Sequence, residues 1–148
     1  MNRLHIHISV SDLDRSINFY TTLFGAAPTV TKVDYAKWML DDPLVNFAIS
    51  KHVGATPGID HIGIQAEDRA GLDAITSRMK AANETTFDQE ATTCCYAVSD
   101  KSWVADPAGV RWETFVTHGE ATVYGADASL DAPSMNETSS AQATHACC

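Results

Sequence analysis

The chain has 148 residues, 45% of them hydrophobic, enough for one domain with a real core. Its formal charge of −9 argues against nucleic acid or an anionic membrane as partner, since both recruit basic patches. No run is long and apolar enough to span a bilayer, and MNRLHIHISV lacks the apolar stretch of a secretion signal, so a cytoplasmic protein is expected.

LHIHISV (Leu4 to Val10) alternates like a strand, with Leu4, Ile6, Ile8 and Val10 on one face and His5, His7 and Ser9 on the other. A helix follows. Ser11 is its expected cap, Asp14 completes a capping box, and Leu13, Ile17, Tyr20 and Phe24 form one apolar stripe that Gly25 ends. Short strands are expected near Pro28–Val33, Tyr35–Leu40 and Val45–Ser50, then a linker, HVGATPG. DHIGIQAED (Asp60 to Asp68) repeats the opening. His61 falls on His5, Ile62 on Ile6, Ile64 on Ile8 and Asp68 on Asp12, at a constant offset (61 minus 5 and 68 minus 12 are both 56). A second helix carries Leu72, Ile75 and Met79. Three more strands are expected near Cys95–Val98, Ser102–Ala105 and Val110–Val116, the last two joined by a turn at Asp106-Pro107-Ala108-Gly109. Each unit therefore reads β-α-β-β-β, and the fold class is α+β: two tandem modules, residues 1–52 and 58–118, in a cupped mixed sheet. From Gly119 the chain is rich in Ala, Ser and Thr and lacks Lys and Arg, so residues 119–148 are expected to form a flexible tail.

The apolar faces of these strands should pack on the helices, leaving the histidine face for the other side of the sheet. In the last strand Glu113 shares a face with Phe115. If the sheet cups, His5, His61 and Glu113 can converge on its concave side. Two histidines and a carboxylate make a facial triad with open positions, a set that suits ferrous iron and also accepts Zn, Mn or Ni. His7 lies on the same face but is not repeat-equivalent to His61. His52, His118 and His145 are expected to be solvated.

The four cysteines form two adjacent pairs, Cys94–Cys95 and Cys147–Cys148. A disulfide between sequence neighbours is strained, and a reducing compartment leaves thiols free. Buried Cys often acts as a small apolar filler, but neighbours on a strand point to opposite faces, so a loop pair with joint access is the better reading of Cys94 and Cys95. Cys147 and Cys148, near His145, are either a second capture site or incidental tail residues. Trp103 and Trp112 read as core, Lys101 as a solvated strand-end charge, and Tyr96 as a pocket wall or hydrogen-bond donor.

HISVSDLDRSINFYTTLFG, DHIGI and DPAGVRWETF together resemble the vicinal oxygen chelate superfamily of glyoxalases, bleomycin-resistance proteins and extradiol dioxygenases, over residues 3–118. TTCCYAVSDKSWVADPAG is similar to its carbon–arsenic lyases and the related cadmium-inducible proteins. That resemblance implies a non-haem Fe(II) dioxygenase of arsenical detoxification. It would take a trivalent organoarsenical (methylarsenite or a reduced aromatic arsenical) and dioxygen, and release arsenite. It implies His5, His61 and Glu113 as metal ligands, Glu113, Cys94 and Cys95 as catalytic, and Cys94, Cys95 and Tyr96 as substrate-binding, in a monomer or homodimer. Family members can carry Gln where this chain has His5. The strand VNFAIS has no His, Glu or Asp for the fourth ligand that glyoxalases use, which favours a three-ligand site. The alternatives are a non-catalytic cadmium or metalloid binder, or another superfamily enzyme such as a glyoxalase or extradiol dioxygenase.

Overall fold

The computed structural model describes residues 1–125. The elements run β1 (Arg3–Ser9), α1 (Leu13–Phe24), β2 (Val30–Thr31), β3 (Tyr35–Asp41), β4 (Leu44–Ser50), β5 (Gly58–Gln65), α2 (Arg69–Ala81), β6 (Phe87–Cys94), β7 (Ala97–Ala105) and β8 (Arg111–Glu120). The two β-α-β-β-β modules join through antiparallel β1 and β5 at the centre of one mixed sheet, ordered β2-β3-β4-β1-β5-β8-β7-β6. Each opening strand also pairs in parallel with the last strand of its own module, β1 with β4 and β5 with β8. The sheet curls into a half-barrel. Its outer apolar face meets the helices: Leu13 packs with Ala36, Trp38, Val45, Phe47 and Ile49, and Ile6, Ile8, Ile17, Tyr20 and Phe24 close round them. A smaller cluster of Ala66, Leu72 and Val116 lies in the second module.

The cap of α1 is Asp12, not Ser11. Its carboxylate accepts from Arg15 N at 3.0 Å, and the repeat-equivalent Asp68 caps α2 through Gly71 N at 2.8 Å. Gly25 ends α1 in the left-handed region as expected. The third quarter of the chain differs more from expectation. Phe87–Cys94 is a strand with no apolar period to announce it, because it is the outermost strand and is mostly exposed or half-buried. The segments expected at Cys95–Val98 and Ser102–Ala105 are one continuous strand, β7, and β8 continues through Glu120. His145, Cys147 and Cys148 lie outside the described residues.

Gly63 positions the site. It stands opposite Glu113 on β8, and a Cβ there would sit 1.9 Å from the Glu113 carbonyl oxygen. Gly63→Ala should therefore push β5 and β8 apart, costing about 3 kcal/mol in urea unfolding, at the upper end of overpacking penalties.

Candidate active site

Strand alternation carries His5, His7, His61 and Glu113 to the inner face, where all four are buried. His5 Nε2 and His61 Nε2 are 3.2 Å apart, and both face Glu113 Oε2, at 3.6 and 3.4 Å. Donors held at about 2.1 Å from one ion lie about 3 Å apart when cis to one another, so this trio fits a single metal ion with little movement. His7 is also near, with donor atoms of His5, His7 and His61 all within 4.8 Å. Its Nε2 shares a hydrogen bond with Ser50 Oγ at 2.8 Å, while its Nδ1 is buried without a hydrogen-bond partner among the described residues.

The outer partners settle which ring nitrogens carry protons. His5 Nδ1 donates to the Asn46 carbonyl oxygen at 3.0 Å, and burial pulls its pKa down to about 4 despite Glu113. His5 is thus neutral, with the Nε2 lone pair free toward the trio. Burial opposes charge on His61 as well. There the hydrogen bonds to Asp60 and Glu113 win, raising its pKa to about 9. Asp60 is the extra residue of a bulge: β1 pairs His7 with His61 but Ile8 with Ile59. That irregularity lets Asp60 reach His61 Nδ1 at 2.8 Å while Arg111 holds the same carboxylate oxygen at 3.3 Å.

The proton on His61 Nε2 occupies the position a metal would take. Metal uptake should therefore release about one proton at pH 7, read as a buffer-dependent heat in calorimetry. The sign follows from the competition: apparent metal affinity should climb with pH up to about 9 and then level. Asp60→Asn should weaken metal binding by about 10–100-fold, the usual effect of removing a carboxylate behind a ligating histidine.

Lys101, expected in solvent, is buried. Its ammonium lies 2.5 Å from Glu113 Oε1 and over the rings of Trp103 and Phe115. Burial alone would raise the Glu113 pKa, but Lys101 and the His61 hydrogen bond hold it well below the usual carboxylate range. With Oε1 tied to Lys101, Oε2 faces the histidines. Trp103 is core as expected, with its ring 5.1 Å from that of His61 and its indole N–H donating to Gln89.

The cysteines meet at a turn. Cys94 ends β6 and pairs with Ala97, leaving Cys95 and Tyr96 as a two-residue loop with φ of 56° and 61°. That is the backbone of the tight hairpin turn usually built from Asn-Gly, and a side chain larger than Asn costs energy there. The bend defeats the alternation that would separate adjacent side chains and brings the two sulfurs to 3.1 Å. The contact with Cys94, then burial, pushes the Cys95 thiol well up, and it donates to the Tyr124 hydroxyl at 3.3 Å. Tyr96 stands beside the pair rather than in the cavity lining: its hydroxyl donates to Asp34 at 2.7 Å and its ring lies 5.9 Å from that of Tyr35.

Thiols and trio share one enclosure. A cavity of about 40 Å³ is lined by Cys94, Cys95, His5, His61, Glu113 and Lys101, with Tyr35, Ala48 and others completing the wall. Ala48 has a place of its own in the register. It stands opposite His7 as Glu113 stands opposite Gly63, and Gly63 is the repeat equivalent of His7 (63 minus 7 is 56). The position matching Glu113 in the first module thus holds a methyl group. His52 and His118 lie away from the trio. His52 packs 4.3 Å from the Tyr124 ring, and His118 Nε2 is 2.8 Å from Asp100. Among the described residues no helix is long and apolar enough to cross a membrane.

Comparison with known proteins finds relatives along most of the chain. The chain is 34% identical over its whole length to the trivalent organoarsenical cleaving enzyme of Thermomonospora curvata, covering 99% of that protein. It is 40% identical over 79% of its length to the enzyme of the same name from Bacillus sp. strain MD1, covering 74% of that chain. It is 31% identical over 99% of its length to the cadmium-induced protein CadI of Mycobacterium tuberculosis, covering 93% of that protein. Among solved structures, the 2,3-dioxygenase LapB of Pseudomonas sp. KL28 superposes with a TM-score of 0.61 at 21% identity, over 84% of this chain and 46% of that one. The Mn(II)-bound glyoxalase of Novosphingobium aromaticivorans gives 0.58 at 19%, over 82% and 42%. These two likenesses concern the fold. Residues 3–114 match the Glyoxalase/Bleomycin resistance protein/Dioxygenase superfamily, and with the whole-length relatives this establishes that the chain belongs to that superfamily.

Proposed function

We propose that this protein is an enzyme that cleaves the carbon–arsenic bond of trivalent organoarsenicals, using Fe(II) and dioxygen, and so detoxifies them in the cytoplasm. The observation that carries the reading is the single small cavity lined by both a vicinal thiol pair and a two-histidine, one-carboxylate cluster. The names of the organoarsenical cleaving relatives point the same way.

Each residue has a definable part. Trivalent arsenic is soft and prefers thiolate sulfur. With sulfurs 3.1 Å apart, a centre bonded to both at about 2.3 Å, the length of a metal–thiolate bond, closes a sulfur–arsenic–sulfur angle of about 85°. Cys94 and Cys95 therefore chelate arsenic and fix the direction of its carbon substituent. His5, His61 and Glu113 hold iron, which when bound supplies the capacity to activate dioxygen. Lys101 keeps Glu113 ionised and aimed, and Trp103 fixes the His61 ring. Holding the carbon–arsenic bond next to the metal is the positioning contribution to rate. The stoichiometry closes as methylarsenite plus dioxygen giving arsenite plus formaldehyde. The carbon–arsenic bond breaks, one oxygen atom ends on arsenic and one on carbon, carbon is oxidised, and arsenic stays trivalent.

Protein loaded anaerobically with Fe(II) should convert methylarsenite to arsenite once air is admitted, with arsenic species separated chromatographically. Cys94→Ser and Glu113→Ala should both be silent. Tight arsenical binding without any arsenite would instead mark a sequestering protein. Turnover that survives loss of both thiols would mark a different reaction of the superfamily.

A further inference from the structure

The repeat pairs His61 with His5, but the strand register pairs it with His7. Across β1 and β5, His61 stands directly opposite His7, while His5 faces Gly63. Directly opposed side chains are the nearest neighbours on one face of a sheet. The ring centroids of His7 and His61 are accordingly 4.9 Å apart, against 5.2 Å for His5 and His61. His7 is buried and lines the same cavity as the trio.

The three rings share one pattern of hydrogen bonds. Each has one nitrogen tied to an outer partner: His5 Nδ1 to the Asn46 carbonyl, His61 Nδ1 to Asp60, and His7 Nε2 to the hydroxyl of the fully buried Ser50. The second nitrogen of His5 and of His61 belongs to the trio. The second nitrogen of His7, Nδ1, is buried with no hydrogen-bond partner among the described residues. A buried N–H without an acceptor is costly, so the proton belongs on Nε2, donated to Ser50, and Nδ1 carries a bare lone pair. A ligating histidine is built in the same way, with one nitrogen donating to an outer acceptor and the other turned to the ion.

We infer that His7 is a fourth protein ligand, through Nδ1, to the metal ion held by His5, His61 and Glu113. The inference rests on the metal site of the proposed function and adds a residue to it. One nitrogen from each of the three histidines lies within 4.8 Å of the others. Donors about 2.1 Å from one ion are about 3 Å apart when cis and about 4.2 Å apart when trans, so a small turn of the His7 ring completes the set. The first module, with Ala48 where the second has Glu113, thus draws its second donor from β1 instead of β4. The fourth ligand also sorts metals. A six-coordinate ion such as Fe(II) would keep two positions open, whereas four-coordinate Zn(II) would keep none and be held as in a closed structural site.

The test counts ligating histidines by proton NMR of the reduced full chain, loaded anaerobically with one equivalent of Co(II). Cys147→Ser/Cys148→Ser should be present throughout, so that the tail thiols do not compete for the ion. Paramagnetic Co(II) shifts the protons of its ligands far outside the ordinary range, and each ligating imidazole gives one exchangeable N–H signal that vanishes in deuterium oxide. Three such signals are expected, and His7→Phe should leave two. His7→Phe should also weaken Co(II) binding by about tenfold or more, read by competition with a chromophoric chelator, and Ser50→Ala by about tenfold, the lower end of the range for losing an outer partner. Two signals in the starting protein, or three that all survive His7→Phe, overturn the inference. If His7→Phe does not fold, the count in the starting protein decides by itself. Co(II) affinity unmoved by Glu113→Ala would instead overturn the metal site on which the inference rests.

Discussion

Glu113→Gln will cost the metal-free protein about 3–5 kcal/mol in urea unfolding, while Glu113→Gln/Lys101→Met will recover most of that loss. Two buried charges lie within hydrogen-bond distance, each 7% exposed or less. Removing one leaves an ammonium in a low-dielectric site with only neutral acceptors and aromatic faces about it. Removing both charges eliminates the desolvation cost together with the attraction, so an uncharged pair of similar volume recovers most of the loss. The double variant separates stability from chemistry. It will fold, yet its metal affinity will stay down by about 100-fold or more, because a neutral amide oxygen replaces the charged donor. Metal titration followed by denaturant unfolding of the same samples reads both quantities. A double variant as unstable as Glu113→Gln would show that Lys101 is held by something other than the carboxylate.

The second large effect concerns the thiol turn, where stability and binding move independently. Cys94→Ser and Cys95→Gly should each lower arsenical affinity by about 100-fold or more, since a chelate that loses one arm loses the effective concentration of the second sulfur. Their stabilities should differ. Cys95 holds a left-handed φ of 56°, which costs a side chain about 1–2 kcal/mol and glycine almost nothing. Cys95→Gly regains that strain while losing the contacts with Cys94 and Tyr124, and should melt close to the parent. Cys94 is 6% exposed at the end of β6, and Cys94→Ser replaces a buried sulfur with a smaller, more polar hydroxyl, so it should melt lower. Both should still bind metal through His5, His61 and Glu113. Calorimetric melting and arsenical titration of the two proteins check the pattern.

How much of this was legible in the residues alone depended on what kind of signal each left. His5 and His61 announced themselves through the duplicated strand, and period-two alternation put Glu113 on their side of the sheet. Both modules and both helices follow from the same repeat. Asp12 was missed as the cap because Ser11, with Asp14 three residues on, offered the same local capping pattern. β6 left no apolar period because an outermost strand buries little. The cysteine turn was hidden because Cys-Tyr is not a sequence that favours left-handed backbone; only the surrounding ladder imposes it. Lys101 reads as solvated by residue type alone, although it shares strand parity with the buried Trp103, and that was the available clue. Asp60 acts through a bulge, and bulges cannot be read from alternation. Tyr124 lies beyond the last recognisable strand, where composition suggested only a tail.

Ala48 has a consequence for the electrical balance of the chamber. With a divalent ion in place, the cavity would gather that ion, the cations of Lys101 and Lys37 and the anion of Glu113, leaving positive charge in excess. Ionised sulfurs would offset that excess, so metal and thiolates favour one another. A second carboxylate at position 48 would meet part of that demand from the scaffold and weaken the pull on the sulfurs. The methyl group there reserves negative charge for the thiols, so that loading the metal and readying the arsenic-binding pair become a single electrostatic event.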